Sequence, residues 1–322
     1  MEAPLREDPR FGVVLMDLGG PGSREELRPF LVRLLSDPRV LRMPAVVRLP
    51  LARWIAWRRS PVVWPRYEAI GGSPLLRDTE ALARDLESRL GVPVAVAMRH
   101  SAPRAGAALA GLRARGVARI VALPLFPQFS TTTTASAVED LARHASGEVR
   151  LAFLPRHADL PGYPDAQAEA LRDALREVAD APRRAVLFTA HSIPESCTRR
   201  GDPYIQEIRA SAARIAERAG LGGGWTLAFQ SAASRGRWHG PAMEEAVDRL
   251  AASGIRALVV QPLSFVSENL ETLWDLDRVL RSRCDAAGIR MVRTPTPGAS
   301  PRYREGIADA LRDRAREEGW LP

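Results

Sequence analysis

The sequence predicts an α/β protein made of two similar doubly wound, Rossmann-like domains, each with a central parallel sheet flanked by helices. Short runs rich in β-branched and aliphatic residues alternate with longer segments of helical periodicity. Helices of that length between strands are typical of βαβ units, so neighbouring strands should be parallel. The chain has 322 residues, enough for about two domains of ordinary size.

The elements follow in a regular order along the chain. Eight short apolar runs bounded by Gly, Pro or polar residues are predicted strands: 12–17, 92–98, 119–125, 149–154, 185–189, 226–229, 257–261 and 290–293. Six segments with apolar residues every three or four positions are predicted helices: 79–90, 105–115, 166–178, 205–219, 244–252 and 302–317.

The two halves of the chain also resemble each other. GVARIVALPLFPQFS from Gly116 and GIRALVVQPLSFVSE from Gly254 reach a Pro-Leu pair at the same spacing. VAMRHSAP is echoed by LAFQSAAS, and VLMDLGGP by VLFTAHSIP with one residue of slippage. Such repetition predicts an internal duplication, with a cleft between the domains at the carboxyl ends of their strands.

We therefore expect three segments. Residues 1–160 form a first domain that carries an apolar lip at about 40–64, and residues 161–298 form a second domain. Residues 299–322 form a C-terminal helix that we expect to pack back on the first domain.

Composition excludes some classes of protein. The formal net charge is +8, yet all 46 basic residues are arginine and they are scattered among Asp and Glu without a basic block. Nucleic-acid binding is therefore not predicted. Cys197 and Cys284 form no CxxC pair, which favours a reducing compartment and argues against a cysteine-ligated cluster.

The sequence also predicts a cytoplasmic location. Residues 1–12 lack the apolar core of a signal peptide, and no stretch reaches 18 uninterrupted apolar residues. The lip qualifies this expectation, because Trp54, Trp57 and Trp64 lie there among aliphatic residues and arginines. Its prolines should prevent one long helix, and it is either a short helix over a core or an exposed surface that holds a flat apolar ligand or rests on a membrane.

Two segments carry groups suited to proton transfer. AVLFTAHSIP runs from an apolar strand directly into His191, the position where α/β proteins bind ligands. FVSENLETLWDLD places Glu268, Glu271 and Asp275 three and four residues apart, so on a helix they would share one face. Each feature alone also fits an ordinary loop histidine or a solvated acidic face; together they indicate a proton-handling site in a cleft.

The glycine-rich LGGPG at 18–22 follows the first strand. It matches neither GxGxxG nor GxxxxGK, and Pro21 removes a backbone N–H donor. Close approach of the backbone to a flat ligand fits this loop better than phosphate binding.

Six motifs in the same order resemble the ferrochelatase family, whose members insert ferrous iron into a porphyrin at the end of haem synthesis. They are LMDLGGP, WRRSP, YEAIGGSPL, FTAHSIPESCTRRGDPYIQEI, AFQSAASRGRWHGP and QPLSFVSENLETLWDLD, and the similarity runs from about Phe11 to the C-terminal helix. The resemblance implies a chelatase-type fold of two α/β domains around a porphyrin cleft.

The resemblance also implies roles for individual residues. His191 and Glu271 match the catalytic histidine and glutamate, which would hold the iron and take the pyrrole protons. Glu268 and Asp275 would form an acidic track for iron or protons. Porphyrin-binding residues would be Leu18, Arg58, Arg59, Tyr67, Arg99, Gln230 and Trp238.

The expected substrates are a porphyrin and Fe²⁺, with no bound cofactor and no iron–sulfur cluster. The apolar lip favours protoporphyrin IX, and a more arginine-rich pocket would suit coproporphyrin III. A non-catalytic tetrapyrrole carrier is the alternative from another class. Asn269 stands where some members have histidine, which weakens any mechanism that needs a second metal-binding histidine there. Leu18 stands where some have methionine, which removes a soft sulfur but keeps the apolar contact.

Overall fold

The computed structural model describes residues 11–145, 147, 149–231 and 236–321. The expectation about a signal peptide in the first ten residues, and four residues of the loop that follows Ser231, therefore lie outside the described residues. Of the described helices, none is both long enough and apolar enough to cross a membrane.

The first half alternates strands and helices. Its elements are β1 (Phe11–Asp17), α1 (Arg24–Ser36), α2 (Ala45–Ala69), α3 (Leu75–Leu90), β2 (Val94–Met98), α4 (Ala105–Ala114), β3 (Arg119–Pro124), α5 (Thr134–His144) and β4 (Arg150–Phe153). Its sheet has the order β2-β1-β3-β4, and all three neighbouring pairs are parallel.

The second half repeats this arrangement. Its elements are α6 (Gly162–Glu177), β5 (Arg184–His191), α7 (Glu195–Thr198), α8 (Tyr204–Arg218), β6 (Trp225–Gln230), α9 (Met243–Ala252), β7 (Ala257–Pro262), a π-helix (Glu271–Leu280), α10 (Arg281–Ala286), β8 (Arg290–Arg293), a short 3₁₀-helix (Pro297–Ala299) and α11 (Pro301–Glu317). The sheet order is β6-β5-β7-β8, again parallel throughout. The predicted fold class is confirmed.

The equivalent strand orders make particular positions of the two halves correspond. In β1, the carbonyl of Met16 accepts a hydrogen bond from Leu125 N at 2.7 Å, and in β5 the carbonyl of Thr189 accepts one from Leu263 N at 2.8 Å. Two residues further along, Leu18 and His191 therefore occupy equivalent positions at the carboxyl ends of the central strands. The duplication thus places an apolar side chain in one half where the other half has an imidazole.

Apolar packing joins the halves. One buried cluster contains strand residues of both sheets together with residues of α3, α6, α8 and α11. The opposite face of the first sheet packs on α4 and α5, and that of the second sheet on α9, the π-helix and α10. Helix α11 contacts α6 and also α3 of the first half.

The lip differs from the expectation of a broken segment, because α2 is one helix of 25 residues with Pro50, Pro61 and Pro65 inside it. A proline in a helix leaves the carbonyl four residues earlier without its N–H partner. Those carbonyls belong to Val46, Trp57 and Pro61, which are all exposed, so water can satisfy them. The opposite side of the helix buries Ala52, Ala56 and Tyr67, which is why the helix persists.

Candidate active site

His191 is the last residue of β5 and is half-buried. Its backbone N–H donates to Ser264 Oγ at 3.1 Å, and its carbonyl accepts from Tyr204 OH at 3.0 Å. The ring Nδ1 lies 2.6 Å from the carbonyl oxygen of Ser192. Because a carbonyl only accepts, Nδ1 carries the proton, and Nε2 of the neutral ring keeps a lone pair for a proton or a metal.

The neighbouring strand ties the histidine to the π-helix. Gln230 is the register partner of His191, and its Nε2 donates to the carbonyl of Glu271 at 3.3 Å. The next residue, Ser231, donates from Oγ to Asp275 Oδ2 at 2.9 Å. Ser231 has φ 62°, the left-handed region that non-glycine residues seldom adopt.

The π-helix starts at Glu271, and Asn269, two residues earlier, bonds to its first turn. Asn269 Oδ1 accepts from Thr272 N at 3.0 Å, while Asn269 N donates to Thr272 Oγ1 at 3.0 Å. This reciprocal pair satisfies two backbone donors at the start of the helix. Asn269 is buried and bonds to Thr272, at the position where some members of the family that the sequence resembles have histidine.

Tyr67, Glu271, Asp275 and His191 belong to one electrostatic group. Burial raises the pKa of Tyr67 far above its ordinary value, and the charges of Glu271 and Asp275 raise it further. Burial also raises the pKa of Asp275, as does Glu271, while Ser231, Arg66 and His191 act in the opposite direction. Tyr67 stays a neutral donor, and Asp275 holds a proton more readily than a solvated carboxylate.

Trp238 lies beside the segment that follows His191. It forms an antiparallel bridge with Pro194, and on either side of it Glu195 N donates to Arg237 O at 2.9 Å and His239 N to Ile193 O at 3.1 Å. The loops after β5 and β6 are therefore joined, and Trp238 is held near the histidine loop.

The lip arginines are exposed. Arg58 lies over the ring of Trp54, with 6.0 Å between the guanidinium carbon and the ring centroid, and Arg59 precedes Ser60, whose Oγ donates to Ala56 O. Since neither guanidinium has an ion-pair partner among the described residues, both are available to a ligand carboxylate.

Glu268 does not share the helix face with Glu271 and Asp275, contrary to the prediction. It precedes the π-helix, and its Oε1 accepts from Arg293 Nη1, Thr296 N and Thr296 Oγ1, each at 3.1 Å. Arg293 also pairs with Asp277 at 2.8 Å and is only 11% exposed. Only Glu271 and Asp275 therefore share the helix face, because Glu268 is held by β8 and the turn after it.

Arg99 follows β2, as expected, but its guanidinium is engaged within the first half. It pairs with Asp37 at 2.8 Å and Asp140 at 3.5 Å and donates to Ser136 Oγ at 2.8 Å. These contacts favour a role in fixing the loop that holds Leu18, since Arg99 N donates to Asp17 O and His100 N to Leu18 O. They do not leave the guanidinium free for a propionate.

Sequence reasoning missed two members of the group. Ser231 follows Gln230 directly, but nothing in the sequence signals its left-handed backbone. Arg66 precedes Tyr67 on α2, and its charge acts on Asp275. On the continuous helix α2, Arg66 lies two turns after Arg59. Because the prolines predicted a broken segment, Arg66 was not expected near the site.

Within the described ranges, no group of three or more His, Cys, Asp and Glu side chains is arranged to hold a metal ion. The residues that could contact a metal passing through the site are His191, through Nε2, and Glu271.

Solved structures with the same arrangement identify the fold. SirB from Bacillus subtilis with Fe³⁺ is 12% identical, with a TM-score of 0.58 over 96% of this chain and 98% of that one. CbiX, described as the terminal enzyme for biosynthesis of sirohaem in denitrifying bacteria, is 20% identical, with a TM-score of 0.53 over 94% and 99%. The fold is therefore that of the two-domain chelatases.

The sequence comparisons identify the family within that class. The family model described as Ferrochelatase matches residues 10–315. The ferrochelatase of Geotalea daltonii is 37% identical over 94% of this chain and 97% of its own length. That of Synechococcus sp. strain JA-3-3Ab is 39% identical over 94% and 93%. The chain belongs to the ferrochelatase family and is a lyase that inserts metal into a porphyrin in haem biosynthesis.

Proposed function

We propose that the protein inserts Fe²⁺ into protoporphyrin IX and releases two protons, the terminal step that gives protohaem. The observation that carries this proposal is that His191 and Glu271 both act electrostatically on Asp275, while Gln230, the register partner of His191, bonds to the Glu271 carbonyl. Metal insertion removes two pyrrole N–H protons while the iron loses its water ligands, so it needs acceptors of this kind next to the ring centre.

His191 and Glu271 share the roles of proton acceptor and transient iron ligand. An imidazole with a free Nε2 can take a proton or bind a divalent ion, and the carboxylate performs the complementary step. Asp275, whose pKa is raised, receives protons from this pair and passes them on. Leu18, Tyr67 and Trp238 contact the macrocycle, Gln230 orients the start of the π-helix, and Arg58 and Arg59 bind propionates.

Coproporphyrin III is the second candidate substrate. Exposed arginines without ion-pair partners among the described residues lie along α2 at positions 53, 58, 59 and 66. Four propionates would use more of these cations than two would. The exposed apolar residues of the same helix favour protoporphyrin IX.

The direct test is anaerobic incubation with Fe²⁺ and either porphyrin, followed by the change in the porphyrin absorption bands. We expect metalation of protoporphyrin IX that falls at least a hundredfold in Glu271→Gln, since an acid–base group contributes about 10²- to 10⁴-fold. Glu245→Gln, on the exposed side of α9, is the matched control and should retain activity. Preference for coproporphyrin III would change the substrate, and porphyrin binding without metalation would favour a carrier.

We also propose that the protein is cytoplasmic and that the outer face of α2 rests on the membrane surface. Val46 is 82% exposed and Trp54 and Trp57 are each 57% exposed on that face. Beside them, a groove of about 200 Å³ between α1 and α2 is lined by Arg24, Arg28, Trp57 and Trp64. Tryptophan with arginine suits the headgroup layer, where anionic lipids attract the guanidinium groups.

The prolines limit how deeply this face inserts. The carbonyls freed by Pro50, Pro61 and Pro65 lie on exposed residues of the helix, and leaving them unpaired in hydrocarbon would cost several kcal/mol each. Contact at headgroup level keeps them hydrated. In flotation assays we expect binding to vesicles with anionic lipid and loss of binding in a Trp54→Ala, Trp57→Ala variant. Val279→Ser, an exposed apolar residue of the π-helix, is the control; equal binding by both variants would refute this contact.

A further inference from the structure

Asp17 ends β1 inside the first half and is only 5% exposed. Its Oδ1 accepts the Leu18 N–H at 2.6 Å, and its Oδ2 lies 3.4 Å from Thr79 Oγ1 of α3. The other buried aspartates are better provided for: Asp37 and Asp140 pair with Arg99, and Asp202 accepts four hydrogen bonds. No described arginine or histidine forms an ion pair with Asp17.

A neutral carboxylic acid fits this environment better than an ion. One oxygen accepts from Leu18 N–H, and the other, carrying the proton, can donate to Thr79 Oγ1. An ionised Asp17 would have one short hydrogen bond, one long one and no opposite charge, which is costly at this depth. Burial accordingly raises the pKa of Asp17 to about 7.

The loop after Asp17 has little freedom to adapt. Gly19 has φ 81°, and a Cβ placed there would lie 2.2 Å from Ser101 Oγ. A Cβ on Gly20 would lie 2.2 Å from Ser73 Oγ, and His100 N holds the Leu18 carbonyl at 2.9 Å. The remaining support of the Leu18 backbone is the Asp17 side chain.

Leu18 occupies the position equivalent to His191 of the second half. In the proposed function, Leu18 is the apolar wall against the macrocycle on the side opposite the proton acceptors. We infer that Asp17 is a positioning residue for metal insertion: as a neutral acid it fixes Leu18 against the porphyrin, and its ionisation loosens that contact. This inference rests on the proposed porphyrin site.

The surroundings of Asp17 contain few other groups that could alter its charge. The groups that face it are Thr79 from α3, the Tyr303 phenol from α11, and the main chain of Arg99, directly after β2. Burial raises the pKa of Tyr303 well above its ordinary value, so this phenol is neutral throughout the range in question. Ionisation near neutrality is therefore a change of Asp17 itself.

The test measures porphyrin binding and metalation from about pH 6 to about pH 8.5, on either side of the pKa of about 7, in the wild type, Asp17→Asn and Asp17→Ala. Wild-type Kd and KM for porphyrin should rise about three- to tenfold across this range. In Asp17→Asn the amide oxygen can still accept from Leu18 N–H and the amide nitrogen can donate to Thr79 Oγ1, but the side chain does not titrate. Its Kd and KM for porphyrin should therefore not rise across this range, and its kcat at pH 6 should stay within about twofold of the wild type. Asp17→Ala should bind porphyrin weakly at every pH.

Infrared spectroscopy gives a readout independent of catalysis. We expect a carbonyl band of a buried protonated carboxylic acid at pH 6 that is lost at pH 8.5 and is absent from Asp17→Asn. If Asp17→Asn keeps the wild-type pH dependence of Kd, or the band is missing from the wild type, the inference is overturned. A wild type that binds no porphyrin would instead refute the proposed function, and the infrared result would still decide the charge of Asp17.

Discussion

Individual residues in the site are held by hydrogen bonds that have little sequence signature. Ser231 keeps a left-handed backbone while its hydroxyl binds Asp275, and Gln230 spans from β6 to the π-helix. A strained backbone at a serine persists only where its surroundings enforce it, and here that enforcement aims a hydroxyl at a carboxylate. Gln230 and Ser231 thus hold the backbone of Glu271 and the side chain of Asp275.

Sequence reasoning located the chemical groups more readily than their partners. His191 was predicted at the end of a strand because an apolar run leads directly into it, and the structure places it there. Glu268 and Arg99 were predicted to face the cleft, but Arg293 and Thr296 hold the first, and Asp37 and Asp140 hold the second. These partners lie 25 or more residues away in the chain, so no local pattern reveals them.

Among the secondary-structure elements, strands were predicted more completely than helices. All eight strands occur where alternating or continuous apolar runs predicted them, and β5 extends two residues further, to His191. The sequence predicts no bounds for helices α1, α2, α5, α7 and α10 or for the π-helix. Helix α2 contains three prolines, and its stability comes from packing on α1 that local propensity does not register.

The crossing of α6 and α11 depends on two glycines. A Cβ on Gly306 would lie 2.5 Å from the Cα of Gly162, so the helices meet backbone to backbone. We expect Gly306→Ala to lower the free energy of unfolding by roughly 1 to 3 kcal/mol, because the methyl group forces the helices apart. Chemical denaturation measures this change.

Gly111→Ala is the matched control, since Gly111 lies in helix α4 with open space at its Cβ. That change should stabilise the protein by about 0.5 to 1 kcal/mol through helix propensity. Equal effects of the two substitutions would show that the crossing tolerates a methyl group, and the close approach would then have no energetic consequence.

In the whole molecule, polar contacts join the two halves in addition to the shared apolar core. Asp202 of the second half accepts from Ser130 and Thr131 in the loop after β3, and Glu207 accepts from Phe129 N at 2.7 Å. On the other side, His157 Nε2 lies 3.0 Å from Tyr303 OH, beside Tyr163. The duplication was visible in the sequence, but these joints were not, because each is made between residues at least 71 positions apart in the chain, which no local pattern pairs.

Three buried titrating groups give the stability of the whole molecule a defined pH dependence. Burial lowers the pKa of His100 and of His157 to about 3. Between about pH 3 and about pH 6.5 the unfolded chain binds protons at both histidines that the folded chain does not, so stability falls as the pH falls. Asp17 acts oppositely: its folded pKa of about 7 exceeds the ordinary 3.8, so its contribution falls as the pH rises through this interval.

Asp17→Asn should therefore change the slope of stability against pH. Between about pH 4.5 and about pH 6.5 the folded wild type holds one proton at Asp17 that the unfolded chain has lost, which offsets about 1.4 kcal/mol per pH unit of the gain from the histidines. Removing that group should steepen the rise in the free energy of unfolding by about this amount per pH unit. Urea denaturation at several pH values measures both slopes. Parallel curves for the two proteins would mean that Asp17 is ionised in the folded state, and that Leu18 is held by a charged carboxylate.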